Sequence, residues 1–593
     1  MPVTATDRFS LLLYRVCLCG CLLGAAGTSY FIAGVNGYLG IRLVNIVAAA
    51  ASVSAALFFL YLFFTETVDR GRLHRLLWFL IFVILLAEIV LGLVPPTARD
   101  ELTHHLVLPK RYVQEGRIFE IPFAPYSYYP MLLDMLYAPW IKWGWDFAPK
   151  LIHGLFAFLT GLLIYAHLSR RLSATYGLLG FFSFISTPVI LRLSNWGYVD
   201  LGLIFYSTSS LLCLLRWSEA VQGRSWLVLA GLSAGFTLST KPNGLLVFFL
   251  LVVLLAFILE RARTKSWKFK AAQIMLFIGL ALIPIGPWFV KNAIQIGNPF
   301  FPFFSSILGG GGEGGGDPGL GILAKRRYFY GESWWQIAAL PLRVFFSGQD
   351  DRAQYFDGAL NPILILLLPW AFRGKWTEEN RLLFGFALAY FFYALFLTDL
   401  RIRYILPIVP PLVILLAWGI HNIYLRVARP SYLFGGVALL LALNGSYLWN
   451  YFSLASPVQY LTGRESRDDY LTRMLPDYPA FRYVSQRLPS TAKIYLLFMG
   501  RRAYYCERDY FHDPEDNPWI LFRMLQSAQK GDDLDSELRE RSITHLLAQD
   551  QLLLAFLNNN LSPDQKKLWV AFANRHLRML FNSRGYSLYE IHG

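Results

Sequence analysis

The chain has 593 residues, of which 55% are hydrophobic and 16% charged, with a formal net charge of +15 and a mean hydropathy of +0.42. Apolar runs of about 20 residues recur between short polar breaks, which excludes a soluble enzyme. A strand barrel is excluded too, because runs of that length in lipid satisfy their backbone groups only as helices.

The pattern predicts a mainly α, polytopic membrane protein of about 13 spans with a small α/β exterior C-terminal domain. The spans fall near 11–33, 44–64, 76–94, 149–168, 174–191, 199–216, 226–240, 244–259, 272–290, 361–372, 382–397, 404–425 and 432–451. Nucleic acid is not the expected partner, since Lys and Arg gather in particular loops: "DRGRLHR" at 69–75, "SRR" at 169–171, "RARTKSWKFK" at 261–270 and "RGK" at 373–375. Such loops are cytoplasmic. Counting spans from any of them puts the N-terminus in the cytoplasm and the tail after residue 452 outside.

The first span reads as an anchor, because no small-x-small cleavage site is evident and a second span follows. "LCGC", ending at Cys21, resembles a lipoprotein box but lies inside its own span and reads as ordinary apolar helix. Of the five cysteines only Cys506 lies well outside the membrane, so the exterior domain has no disulfide framework. Glu88 sits within the third span, about three turns before Asp100, where a carboxylate is a functional candidate by default or a group reaching the interface.

The first exterior loop, 95–148, opens with "TARDELTHHLVLPKRYV". In a helical register Asp100 faces His104 and Glu101 faces His105. A partly desolvated carboxylate beside imidazole can act as a general base, or Asp100 can simply cap a helix. The following "YSYYPMLLDMLYAPWIKWGW" predicts an interfacial helix with its rings at headgroup depth. His153 in the fourth span is a bundle histidine or a substrate contact.

Further along, Asp200 in "SNWGYVDLGL" opens the sixth span, Lys241 in "STKPNG" lies between the seventh and eighth, and Arg401 and Arg403 in "TDLRIRYILP" start the twelfth. Singly, each is a capping or snorkelling residue. Together they describe an outward-facing site of acids beside cations. Arg and Lys suit phosphate, and a phosphate at the membrane boundary is a lipid phosphate. The acids would repel it, and the task that fits them is activating a nucleophile that attacks the carbon bonded to that phosphate.

The second exterior loop, 291–360, contains "GNPFFPFF", "GGGGEGGGDPG" and "KRRYFYGESWW". So dense a glycine run predicts a mobile lid or linker over 309–321, and it lacks the Gly-Lys-Ser/Thr ending and preceding strand of a P-loop. The tail, 453–593, turns charged. "AKIYLLFM", "SITHLLAQ" and "GYSLYEI" read as strands, "WILFRMLQSAQ" and "SPDQKKLWVAFANRHL" as helices, and no hydrolase motif appears. A substrate-capping or partner-binding role is expected of it.

These motifs resemble the integral-membrane glycosyltransferases of the GT-C class, similar to protein O-mannosyltransferases and the lipid A aminoarabinose transferase. The resemblance rests on "RDEL" at Asp100 and Glu101, "YVDLGL" at Asp200, "TKPNGLL" at Lys241, "GNPFFP" at 297–302 and "RIRYILPIVPP" at 401–411. It covers roughly 76–452, leaving 1–75 as additional N-terminal spans and 453–593 as the exterior domain. It implies inverting transfer from a polyprenyl-phosphate sugar, with Asp100 as base, Lys241 and Arg403 on the lipid phosphate, and Asp200 near the acceptor. Arg401 is expected beside Arg403, and Glu101 beside Asp100. No cofactor is assigned. The His104–His105 pair leaves a divalent metal open, although no third ligand stands out. The acceptor is a glycan, lipid or protein, membrane lipids are the other partners, and a bacterial inner membrane is the expected location. A flippase or transporter of a lipid-linked sugar, or an oligosaccharide ligase or polymerase, are the competing readings.

Overall fold

The computed structural model describes residues 5–592, apart from 69–70, 220–222, 262–265, 310–321, 374–375, 398–399, 429 and 515–517. The predicted lid at 309–321 thus lies outside the described residues except for Gly309.

The chain folds into α1 (Ala5–Val35), α2 (Arg42–Glu66), α3 (Arg72–Gly92), α4 (Val107–Glu115), α5 (Leu132–Lys142), α6 (Ala148–Arg171), α7 (Ala174–Ile185), α8 (Pro188–Ser194), α9 (Asp200–Glu219), α10 (Arg224–Thr240), α11 (Gly244–Arg261) and α12 (Trp267–Ile296). Longer helices follow at Glu378–Leu397 and Pro430–Ala455, flanking Ile402–Tyr424. Among the described residues, eight helices are long and apolar enough to cross a membrane: α1, α2, α3, α6, α9, α11, α12 and Ile402–Tyr424.

Thirteen full spans are not confirmed among the described residues, and two of the expected ones are interrupted locally. The expected span at 174–191 is a broken pair, α7 and α8, bent by 69°, with Pro188 opening the second piece. Proline lacks the N–H that would continue the first helix. The segment 361–372 forms two four-residue helices, Ile363–Leu366 and Leu368–Ala371. It still carries the chain between the two ends of Ile402–Tyr424. Ile402 N–H donates to Phe356 O at 2.8 Å at one end, and Asn422 Nδ2 donates to Trp370 O at 3.0 Å at the other.

Burial separates the centre of the bundle from its lipid face. The spans α6 and α9 are 89% buried, whereas α12 is only 28% buried. A helix apolar all round belongs in the middle, and exposed Ile283, Val290 and Ile294 on α12 suit contact with acyl chains. The first helix also lies inside. A Cβ at Gly27 would stand 2.8 Å from Leu132 O, so glycine permits that approach of α1 to α5. Gly235 does the same for α10 against α12, where a Cβ would meet Ala281 O at 2.4 Å. At the C-terminal end of α9, Arg170, Arg171 and Arg216 converge on Glu219. The predicted site lies at the opposite end.

Among the described residues the C-terminal domain, named exterior for its expected side of the membrane, holds five strands, β1 (Lys493–Leu497), β2 (Asp509–His512), β3 (His545–Gln549), β4 (Leu577–Ser583) and β5 (Tyr586–Ile591). Their order is β2-β1-β3-β5-β4. The first three run parallel and β5 pairs antiparallel with β3 and β4. Two strands, β2 and β4, were not expected: β2 is only four residues long, and β4 follows the helix Pro563–His576 without a break.

Candidate active site

After α3 the chain meets Pro95 and Pro96, which end the helix, and then makes a π-turn over Glu101–His105, with Leu106 N–H donating to Glu101 O at 3.1 Å. The expected α-helical register of "DELTHH" is thus replaced by a wider one, a form that gathers at functional sites. The Leu102 carbonyl turns outward and accepts Ala503 N–H at 2.9 Å and Tyr504 N–H at 3.3 Å from the exterior domain. Tyr505 OH donates to Pro96 O at 2.7 Å. Lys110 Nζ reaches Tyr504 O at 2.8 Å and Glu507 Oε1 at 2.6 Å. One short loop of the exterior domain thereby clamps the segment that carries Asp100.

Glu101 is fully buried. Its Oε2 accepts Thr97 N–H at 3.1 Å and Ala98 N–H at 2.8 Å, and its Oε1 accepts Gly197 N–H. With both oxygens on backbone donors, Glu101 ties the first exterior loop to the turn before α9, and this geometry differs from the expected catalytic position beside Asp100. His153 is likewise a fastening. Its Nδ1 lies 2.9 Å from Leu193 O and 2.7 Å from Trp196 O, while Nε2 accepts Leu201 N–H at 2.9 Å. Those partners assign the neutral Nδ1–H tautomer and hold the start of α9 in place, leaving no nitrogen for a substrate or metal. Glu88 Oε2 accepts from Asn195 Nδ2 in the interior, below the site.

That turn sets Asp200 at the first position of α9 and Lys241 just past the end of α10, where Pro242 prevents the helix from continuing. Lys241 Nζ donates to Asp200 Oδ1 at 2.6 Å, and Asp200 Oδ2, buried, has no hydrogen-bond partner among the described residues. Arg403 Nη1 donates to Asp100 Oδ2. Both cations lie over the Tyr404 ring, Lys241 at 4.9 Å and Arg403 at 5.1 Å. Asp100 N–H donates to Tyr198 OH at 3.0 Å, and Arg403 also covers that ring at 5.6 Å. Two acids and two cations therefore meet around two tyrosines at one end of the bundle.

Burial alone would raise the Asp100 carboxyl, but Arg403, with His104 and His105, holds it well below the usual carboxylate range. Burial pushes His104 well below its ordinary value and His105 down to about 4, so both rings are neutral at neutral pH. His105 Nδ1 lies 3.1 Å from Asp134 Oδ1, and burial pushes that carboxyl well up. Burial thus favours the neutral form of both partners in this hydrogen bond. His104 stacks on Tyr126 with centroids 4.2 Å apart, and Arg501 of the exterior domain lies 5.3 Å from the Tyr126 ring. No group of three or more His, Cys, Asp or Glu among the described residues could hold a metal ion. The two histidines, one on Asp134 and one on Tyr126, do not assemble a metal site.

Arg401 is placed differently from its neighbour. It lies 3.6 Å from Asp357, within a network in which Arg192 also takes Asp350 at 3.0 Å and Asp351. Tyr447 OH donates to Asp350 at 2.6 Å. The network fastens the second exterior loop to the bundle, and Arg401 does not join the expected phosphate cluster with Arg403. "GNPFFP" acts through packing. Phe301 meets the rings of Tyr128 and Tyr129 at 5.5 and 5.9 Å, and Asn292 Nδ2 donates to Tyr128 O at 2.8 Å, fixing the turn that presents Tyr126.

Tyr198 and Tyr404 were within reach of sequence reasoning, since they stand inside the motifs that carry Asp200 and Arg403. Asp134, Tyr126 and Arg501 were not, because nothing in the chain pairs them with residues 22 to hundreds of positions away.

The dolichyl-phosphate-mannose-protein mannosyltransferase family matches residues 145–296, the stretch from α6 to α12 that includes Asp200 and Lys241. ArnT from Cupriavidus metallidurans bound to undecaprenyl phosphate is similar in structure, with a TM-score of 0.53 at 15% identity over 86% of this chain and 97% of that one. ArnT from the same organism in the apo state gives 0.51 at 14% identity over the same shares. The chain thus has the fold of a GT-C glycosyltransferase, as its motifs implied. No curated protein matches the chain.

Proposed function

We propose that the protein is a glycosyltransferase that moves a sugar, with inversion, from a polyprenyl-phosphate donor to an acceptor on the extracytoplasmic face of the membrane. The observation that carries this reading is the meeting of Asp100–Arg403 and Asp200–Lys241 over the Tyr404 ring. A lipid phosphate held by ArnT, on the same fold, supports it, as does the mannosyltransferase match spanning Asp200 and Lys241. The basic loops at the other end of the bundle support an extracytoplasmic position for this one.

In this reading Lys241 and Arg403 hold the donor phosphate and stabilise the charge that develops as it departs. Asp100 takes the acceptor's proton. Asp200 positions Lys241 and faces the acceptor with its second oxygen. Tyr126 and Arg501, where the exterior domain meets the first loop, line the acceptor side, and the clamp on Leu102 keeps Asp100 in reach and water out.

The test is turnover by purified protein in lipid, offered a panel of polyprenyl-phosphate sugars with an envelope extract as acceptor, following release of polyprenyl phosphate. Release that requires both extract and Asp100 establishes the transferase. Release from no donor in the panel, or at an unchanged rate in Asp100→Asn, refutes the assignment.

A further inference from the structure

If the site works as proposed, the base and the leaving phosphate depend on the same side chain. Arg403 spends Nη1 on Asp100 and sets Nη2 3.3 Å from Tyr404 OH, while its buried Nε has no hydrogen-bond partner among the described residues. Two carboxylates and two cations sum to zero before any donor arrives. A phosphodiester entering that setting brings a negative charge toward two carboxylates that are largely shielded from water, the Asp100 side chain being 20% and the Asp200 side chain 1% exposed. It can be held only by drawing on cations already in use.

We infer that Arg403 is shared in turn: it holds Asp100 in the empty site, divides its fork between Asp100 and phosphate when donor is bound, and passes to the phosphate as Asp100 takes the acceptor's proton. The chemistry balances along this path. The acceptor's O–H or N–H proton moves to an Asp100 carboxylate oxygen as its oxygen or nitrogen bonds to the sugar's anomeric carbon. The bond from that carbon to the phosphate oxygen breaks, and its electron pair stays on the lipid phosphate. Asp100 becomes neutral just as the phosphate gains charge, so the guanidinium is released by one partner when the other most needs it.

The same coupling sets an order of events. While Arg403 is committed to it, Asp100 is held well below the usual carboxylate range and is a weak base. Burial is the largest influence on that carboxyl and acts in the opposite direction. Drawing Arg403 toward a donor phosphate therefore strengthens the base only when a lipid phosphate is bound.

The test is binding of polyprenyl phosphate, without sugar, to the full chain in lipid nanodiscs. Removing the competing carboxylate in Asp100→Asn and Asp100→Ala should tighten binding by a coupling of ordinary size, roughly five- to a hundredfold. Adding Arg403→Met to either variant should abolish the gain. Affinity that is unchanged or weaker in both Asp100 variants overturns the sharing of Arg403 while leaving the lipid-phosphate site intact. Failure of the unmodified protein to bind polyprenyl phosphate overturns the site and the sharing together.

Discussion

Asp100 and Arg403, 303 residues apart in the chain, form an ion pair at the end of the bundle opposite the basic loops. The pair joins the first exterior loop to the start of the span Ile402–Tyr424, and its members carry opposite tasks in the proposed reaction. Asp100→Asn keeps the shape and a hydrogen bond to Arg403 but cannot accept a proton. Its turnover should fall about 10²- to 10⁴-fold, the usual contribution of a positioned base, with the fold retained at a lower unfolding temperature because Arg403 loses its paired charge. Turnover within about threefold of the native rate would remove Asp100 from the role of base.

The adjacent Glu101 should behave in the reverse manner. Its carboxylate accepts three backbone N–H groups from Thr97, Ala98 and Gly197. Glu101→Gln would turn an NH₂ group toward at least one of those donors, leaving buried polar groups unpaired at a cost of about 1–3 kcal/mol each. The expected outcome is a lower unfolding temperature and poor yield, with near-native turnover per correctly folded molecule. A stable protein without activity would instead place Glu101 among the reacting groups.

The bundle is legible in the chain because apolar runs bounded by basic loops obey length and charge rules that do not depend on partners. Asp100, Asp200, Lys241 and Arg403 are legible because charged residues at span ends are few. What pairs with what is not legible. Arg401 and Arg403 sit two residues apart in the same motif, yet one turns to Asp357 and the other to Asp100. The π-turn hides the clamp as well, since only the wider register presents Leu102 O to Ala503. Segment 361–372 matches a span in composition, but its helices break after four residues each.

The buried His105–Asp134 pair predicts a particular response to pH. Burial lowers His105 to about 4 and raises Asp134, so the fold moves the proton that an unfolded chain carries on His105 toward Asp134. The two shifts act on stability in opposite senses between about pH 4 and 6.5, so they offset each other and the pair contributes less slope than His105 alone. Asp134→Asn removes the offset. His105 alone then has a folded pKa below its unfolded one, so stability rises with pH through that window and is lost as pH falls from about 6.5 to 4. Unfolding temperatures of native and Asp134→Asn protein across this range are the check. Parallel curves would mean that Asp134 does not offset the titration of His105.

The exterior domain is expected to act on rate rather than on donor binding. Tyr505 OH on Pro96 O and Lys110 on Tyr504 O and Glu507 hold the two ends of the segment that carries Asp100, while Lys241 and Arg403 belong to the bundle. Loosening both ends in Tyr505→Phe/Lys110→Met should misplace the base without disturbing the phosphate cations. Misplacement of about 1 Å costs up to about 100-fold in rate. The double variant should therefore lose kcat while its affinity for polyprenyl phosphate does not fall. Loss of that affinity in step with kcat would show that the domain supports the whole site.

The two arginines of "RIRY" give the sharpest comparison. The Arg403 side chain is 13% exposed and bridges Asp100, Tyr198 and Tyr404. Arg401 is 30% exposed and pairs loosely with Asp357, which keeps Arg192 as a partner if Arg401 is lost. An exposed pair of that kind contributes about 0–1 kcal/mol, whereas a largely buried charge-assisted contact to phosphate contributes about 1.5–3 kcal/mol. Arg403→Ala should weaken polyprenyl phosphate binding by about 10- to 100-fold and reduce turnover further, because the same residue also serves the leaving group. Arg401→Ala should change either quantity by no more than about fivefold. Equal losses from the two variants would mean that Arg401 leaves Asp357 to join the phosphate when donor binds, and the second exterior loop, held partly by that pair, would then have to move with it.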